Sequence, residues 1–196
     1  RGKIIGALSA RLKLTKKPIG IDIKKHKDID KRIIFKNINV IKYLKDNKKK
    51  FDLILIKQVI HFFNLRDIRI LLNHSYQNLQ PKGMIFILSI DQKNNEIPNF
   101  FLMKKKLQQS FKKEALIKQN ILSFKGDKII KKFNFKVSIT KKKYISMLKQ
   151  RYISSLLTLN DNQILKGIEE IKLKYKNSIT FKDNLNCIII KKSDIS

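Results

Sequence analysis

Between Phe51 and Lys57 the chain reads Phe-Asp-Leu-Ile-Leu-Ile-Lys, so four consecutive apolar residues, Leu53 to Ile56, give way at once to the polar pair Lys57-Gln58. The run is far too short to cross a bilayer, which takes about 20 residues. It also lacks the apolar/polar alternation of a strand with one wet face. It is read as a strand buried on both faces of a parallel sheet. The carboxyl end of such a strand opens into the crevice where α/β domains bind ligands.

The rest of the first ninety residues agrees with that reading. Ile4, Ile5, Leu8 and Leu12 recur at helical spacing and predict a helix over about residues 3–13, stopped by Lys17-Pro18. A short strand ending in the lone acid Asp22 follows, then a strand at Ile33-Ile34-Phe35 and a short helix over 40–46. Ile68, Leu71, Leu72, Ser75 and Leu79 mark one face of a helix over about 66–80. Pro81-Lys-Gly83 predicts a turn before a buried strand over 84–90. This alternation is the pattern of right-handed βαβ units on a parallel sheet. Beyond residue 90 the expected elements are a helix over 99–122, an alternating strand over 134–140, a helix over 144–157, a helix that Asn160 and Gln163 start as a capping box, and a last strand over 186–190. The expected fold is α/β and Rossmann-like, with flanking helices, antiparallel last strands and a helical insertion. Residues 1–196 are expected to form one domain, with a cofactor-binding half over 1–90 and a substrate side over 91–196.

Lys and Arg number 45 against 15 Asp and Glu, a formal charge of +30. Such a balance fits a polyanion partner. The excess is nearly all Lys, accompanied by much Ile and Asn and no Trp, which is also what drift toward A/T-rich codons produces. The lysines are spread along the chain, so nucleic acid is a partner the sequence permits but does not favour. Cys187 stands alone, which excludes a disulfide framework and a cysteine-based zinc spacing, and no metal site is expected. No run is long enough for a transmembrane segment, and no signal-peptide pattern opens the chain. A cytoplasmic location is expected.

Four pieces, in this order, resemble the class I S-adenosylmethionine-dependent methyltransferases: Ile19-Gly-Ile-Asp22, Arg32-Ile-Ile-Phe-Lys-Asn-Ile-Asn39, Phe51-Asp-Leu-Ile with Val59-Ile-His61, and Leu79-Gln-Pro-Lys-Gly83. The resemblance covers about residues 1–90 and implies S-adenosylmethionine as cofactor. It places Asp22 on the ribose hydroxyls, a task a strand-end carboxylate performs in other dinucleotide-type sites; the alternative role is a local cap. Asn39 stands where the family has an acid for the adenine amine, and its carbonyl oxygen can still accept from that amine. Ile23, Ile38 and Val40 would cover the adenine, or else serve as core. Lys57, at the end of the opening strand, completes the cofactor set. His61 lies on the acceptor side as a general base or as a packed ring.

The family's glycine-rich loop and the strand before it are not matched. Arg1-Gly2 ahead of a helix is similar to the end of that loop, where Gly2 lets the backbone approach a ligand. The resemblance therefore implies a chain that starts inside the cofactor motif, as a fragment of a longer protein. It also implies a missing central strand, so weak cofactor binding and an inactive fragment are expected. The segment Tyr144 to Ser154 with the capped helix after it resembles small-molecule methyltransferases of the trans-aconitate type. That likeness implies a small-molecule substrate, with Arg151 holding a carboxylate or else serving as a helix-surface residue, and with Ser154 also on the substrate side. Phe100, Phe101 and Met103 form either a lid or a buried helical face. The function implied is methyl transfer to a small organic acceptor. An RNA or protein methyltransferase, or a non-catalytic domain of the same fold, is the alternative.

Overall fold

A computed structural model describes residues 2–91 and 93–193. The elements run α1 (Lys3–Arg11), β1 (Ile19–Asp22), β2 (Ile34–Asn37), α2 (Val40–Asp46), β3 (Phe51–Lys57), α3 (Leu65–Gln77), β4 (Leu79–Ile90), α4 (Phe101–Leu122), β5 (Asp127–Thr140), α5 (Lys141–Lys149), α6 (Asp161–Lys174) and β6 (Ser178–Lys191). Short 3-10 turns occupy Ile60–Phe62 and Ser154–Leu156. Among the described residues, no helix is long and apolar enough to cross a membrane.

The strands fall into two sheets. β1 and β2 pair in parallel, from Ile19 opposite Ile34 to Asp22 opposite Asn37. The other four lie in the order β3-β4-β6-β5, parallel between β3 and β4 and antiparallel on both sides of β6. Among the described residues, β1 pairs only with β2 and β3 only with β4, so no ladder joins the two sheets. The α/β architecture with flanking helices is as the sequence predicts.

What joins the sheets is packing and one amide. Leu44 of α2 is buried with Ile68, Leu71 and Leu72 of α3 and with Ile56, Ile85, Ile87, Ile188 and Ile190 of the four-stranded sheet. Alternation along β4 and β6 puts these sheet residues on one face, against which Ile117 and Ile121 of α4 also pack. Asn78, 6% exposed, sits at the end of α3. Its Nδ2 donates to the carbonyls of Leu44 and His74, both at 2.8 Å, and its Oδ1 accepts from Asn47 Nδ2. Its own carbonyl accepts from Phe51 N at 2.8 Å and so starts β3.

A second core forms in the later half. Tyr144 and Leu148 of α5, Ile164, Ile168 and Ile171 of α6, and Ile179 and Phe181 of β6 are buried with Phe100 and Met103. Gly167 is required there: a Cβ would lie 2.4 Å from the Phe100 ring. The capping box starts α6 as expected, with Asn160 and Gln163 each bonding the other's backbone N–H.

Three boundaries differ from the sequence reading. β5 and β6 are each 14 residues long, against the seven and five residues expected over 134–140 and 186–190. The added half of β5, Asp127 to Phe133, carries polar residues on both faces because it is an edge, and alternation reports only a one-sided strand. The helix expected over 144–157 starts at Lys141 and stops at Lys149, where Arg151 takes φ 48 and the chain turns. The turn at Pro81 to Gly83 is a bulge inside β4 rather than a separator: the ladder jumps from Phe51 opposite Leu79 to Leu53 opposite Met84.

Asn78→Ala would leave the Leu44 carbonyl buried without its donor, at a cost of about 1–3 kcal/mol. Urea denaturation followed by circular dichroism is expected to show that loss, whereas Asn47→Ala, which removes a more exposed partner, should cost less.

Candidate functional site

The carboxyl ends of the parallel strands carry most of the polar groups singled out in the sequence. Asp22 closes β1. One oxygen accepts from Lys24 N at 2.9 Å and the other lies 3.0 Å from His26 Nε2. Burial pushes the Asp22 carboxyl up, but the Lys24 N–H and the His26 ring outweigh it and hold the group below its ordinary value. It is therefore ionised near neutral pH. Each oxygen has a remaining lone pair, and together they are the pair of acceptors that the two hydroxyls of a vicinal diol need. Asn37 Nδ2 donates to the Asp22 carbonyl at 3.0 Å and ties the ends of β1 and β2 together. Beside them the Ile23 side chain is 70% exposed, an apolar surface open to a flat ring.

Asn39 is the N-cap of α2. Its Oδ1 accepts from Ile41 N and Lys42 N at 2.9 and 3.2 Å, so both lone pairs of that oxygen serve the helix. Ile38 is half-buried, and Val40 packs against the first core. Gly2 precedes α1 with φ 74, and a Cβ there would lie 2.2 Å from Ile33 Cδ1. Ile33 also fills the space over Gly20, so one side chain presses the start of α1 against β1. These residues are compatible with a bound nucleoside at Asp22 and Ile23; Asn39 adds no free acceptor from its oxygen.

At the end of β3, Lys57 Nζ lies 3.2 Å from Gln58 Oε1. Burial lowers the Lys57 ammonium, partly offset by the charge of Asp183. Gln58 itself takes φ 52, a left-handed conformation unusual for a residue with a side chain, and is held there by its N–H donating to Leu88 O at 2.8 Å. Such strain concentrates at functional sites. His61 follows in the 3-10 turn. Its ring lies 4.2 Å from Phe62, and its Nε2 is buried with no hydrogen-bond partner among the described residues. Burial, then the nearby Lys113 ammonium, lowers the imidazole pKa, so the ring is neutral at pH 7. Lys113 Nζ donates to the His61 carbonyl at 2.8 Å and fixes α4 over this end of the sheet.

The expected substrate residues are placed elsewhere. Phe100 is buried against Gly167 in the second core, and Met103 is fully buried with it, while Phe101 is 70% exposed. Arg151 donates to Leu159 O at 3.1 Å and to Asp161 Oδ1 at 2.7 Å, so its guanidinium holds the segment leading into α6. Ser154 opens a 3-10 turn.

Several polar groups near these ends carry no sequence signal. Asp91 directly follows β4 and is 9% exposed. Glu114 on α4 is pushed up to about 7 by burial and by the Asp91 charge. Tyr144 donates to the Pro98 carbonyl, so Tyr152, 3.0 Å away, donates to Tyr144 and presents only lone pairs beyond it. Isolated acids and tyrosines are unreadable in one sequence. Only the parity of β4 and the register of α4 bring them to the sheet end.

The folded protein holds the Glu114 proton more tightly than the unfolded chain does. Stability from this group is therefore full below about pH 4.5 and is lost as pH rises through about 7. Glu114→Gln is expected to flatten that decline in urea-melting series taken across the window, and to be the more stable protein above it.

Comparison with known proteins agrees with this geometry. The family described as CheR methyltransferase, SAM binding domain, matches residues 13–110, half of the chain. No curated protein sequence matches. A putative methyltransferase from Bacillus halodurans C-125 shares the fold at a TM-score of 0.50 and 11% identity, with 98% of this chain and 88% of that one covered. A SAM-dependent methyltransferase from Archaeoglobus fulgidus aligns at 17% identity and a TM-score of 0.48, over 98% and 95% of the two chains. The plantazolicin methyltransferase BpumL, solved with a pentazolic desmethylPZN analog and SAH, aligns at 17% identity and 0.49, over 97% and 73%. Because the matched span is half of the chain, the chain belongs to the CheR methyltransferase SAM-binding domain family, whose cofactor is S-adenosylmethionine.

Proposed function

We propose that this domain transfers a methyl group from S-adenosylmethionine to a small organic acceptor, with Asp22 on the ribose and His61 beside the acceptor. The observation that carries the proposal is the pair of strand ends: an ionised carboxylate closes β1, and a neutral buried imidazole with an unused Nε2 follows β3. S-adenosylmethionine, when bound, supplies an electrophilic methyl on a sulfonium. The chain's own residues hold and orient. Asp22 accepts two hydroxyl protons in hydrogen bonds, Ile23 covers an apolar ring, and Lys57 and Gln58 border the crevice. His61 Nε2 takes the proton that a nucleophile loses as it forms the new bond. In-line positioning supplies much of the rate, so the contribution of the base is one part of the whole.

A carboxylate-bearing acceptor of the trans-aconitate methyltransferase type belongs to the same proposal, though the Arg151 fork is already bonded to Asp161. A cytoplasmic setting also belongs to it, supported by the free thiol of Cys187. One observation favours a second reading, methylation of nucleic acid. Phe133 and Phe135 on β5 are partly exposed and near parallel, 6.4 Å apart, in a strand that also carries four lysines. Bases stack on such a platform. A salt-dependent gel shift with single-stranded RNA tests it, and no shift at physiological salt removes it.

Asp22→Ala is expected to weaken S-adenosylhomocysteine binding by about tenfold or more relative to the parent chain, measured by calorimetry. His61→Asn should leave that binding unchanged and lower the transfer rate by roughly a hundredfold. Equal cofactor affinity in the Asp22 variant would defeat the assignment.

A further inference from the structure

The loop that leaves β4 lies across the antiparallel β5–β6 pair and borders an open cavity of about 300 Å³. Alternation puts Lys132 and Asn134 on one face of β5, and the register sets Asn134 opposite Asn184, with Lys182 two residues along on the same face. The loop supplies Asp91 and Glu96. Its backbone is tied down: Asp91 N donates to Asn184 O at 2.8 Å, Glu96 N donates to Lys182 O at 3.1 Å, and Lys182 N donates to Glu96 Oε2 at 3.1 Å. Asp91 Oδ2 accepts from Asn94 Nδ2 at 3.0 Å.

Two features set this cavity apart from the rest of the surface. The first is charge. Basic residues outnumber acidic ones 45 to 15 in the chain, yet the cavity lining holds two lysines, two carboxylates and amides. Compositional drift toward lysine does not create that balance. The second is position. Asp91 is the residue after the last of β4, so the cavity opens at the carboxyl end of a parallel strand whose neighbour, β3, leads into His61. Ligands of open α/β sheets bind at these ends. Another cavity, about 450 Å³, instead includes Ile19 and Ile34, the first residues of β1 and β2, and runs along α2.

We propose that this cavity binds the amino-acid end of a small zwitterion, the methyl acceptor of the reaction. Lys132 and Lys182 hold its carboxylate, and the buried carboxylate of Asp91 faces its ammonium. The inference rests on the small-acceptor reading above and gives it a substrate class. It also supplies the cations that a carboxylate needs, because Arg151 is engaged with Asp161.

Three probes separate the two charges: L-alanine, N-acetyl-L-alanine, which lacks the ammonium, and L-alaninamide, which lacks the carboxylate. Saturation-transfer NMR and calorimetry on the full chain without cofactor are expected to show saturable L-alanine binding, weaker by about tenfold for each blocked form. Lys182→Met and Lys132→Met should each weaken L-alanine and leave L-alaninamide unchanged. Asp91→Asn, which keeps the side chain's shape, should weaken L-alanine and leave N-acetyl-L-alanine unchanged. Equal binding of all three probes, no saturable binding of L-alanine, or binding indifferent to these variants while circular dichroism shows them folded would overturn the proposal. Because cofactor is left out, these results are independent of the Asp22 calorimetry, so a failure of the cavity assignment is distinguishable from a failure of the cofactor assignment.

Discussion

One buried amide holds this molecule to a single arrangement. Asn78 closes α3, receives the first N–H of β3 and reaches across to the last turn of α2. The two sheets share no ladder among the described residues, so the position of Asp22 relative to His61 depends on how α2 sits on α3. Apolar contacts around Leu44 provide most of the favourable free energy, but they are non-directional. The Asn78 bonds are directional, and a buried carbonyl such as that of Leu44 tolerates little else. Packing therefore decides that the halves associate, and the amide decides in which register.

The legible elements were those with a local signature. α2 and the capping box of α6 follow from a wet and a dry face or from a cap with a fixed spacing, whereas β3 follows from its unbroken apolar run. The burial on both faces expected of β3 is not seen, because among the described residues it pairs only with β4 and only its Ile56 is buried. The full length of the antiparallel pair β5–β6 did not, since the added half of β5 has no dry face to write an alternation. The positions of Asp22 and His61 at the ends of β1 and β3 were legible because each ends or follows a short apolar run. Asp91 and Glu114 were not, because what distinguishes them is burial by residues far off in sequence. Arg151 shows the opposite failure. A rare arginine in a lysine-rich chain draws notice, yet its fork serves a turn that only the folded chain displays, with Asp161 ten residues away.

The site combines groups held in opposite ionisation states by their surroundings. The Lys24 N–H and His26 keep Asp22 charged despite burial, whereas burial keeps His61 neutral and Glu114 poised near neutrality. Two carboxyl groups of the same fold thus behave differently, and environment rather than residue type sets the division. The left-handed backbone at Gln58 belongs to the same picture. It turns the chain abruptly out of β3, so that the next few residues lie over the strand ends instead of running on into solvent.

The order in which strands are made differs from the order in which they lie. β6 comes after every other described element, yet it occupies an inner place between β4 and β5, with Ile85 opposite Ile190 across more than a hundred residues of chain. During synthesis the inner edge of β4 stays open until β6 emerges, and β5 has no neighbour to lie against. Long-range pairing of this kind is slow and leaves apolar strands exposed while it waits. For Met84 to Ile90, the time between translation and closure is the period of greatest danger from the wrong partner.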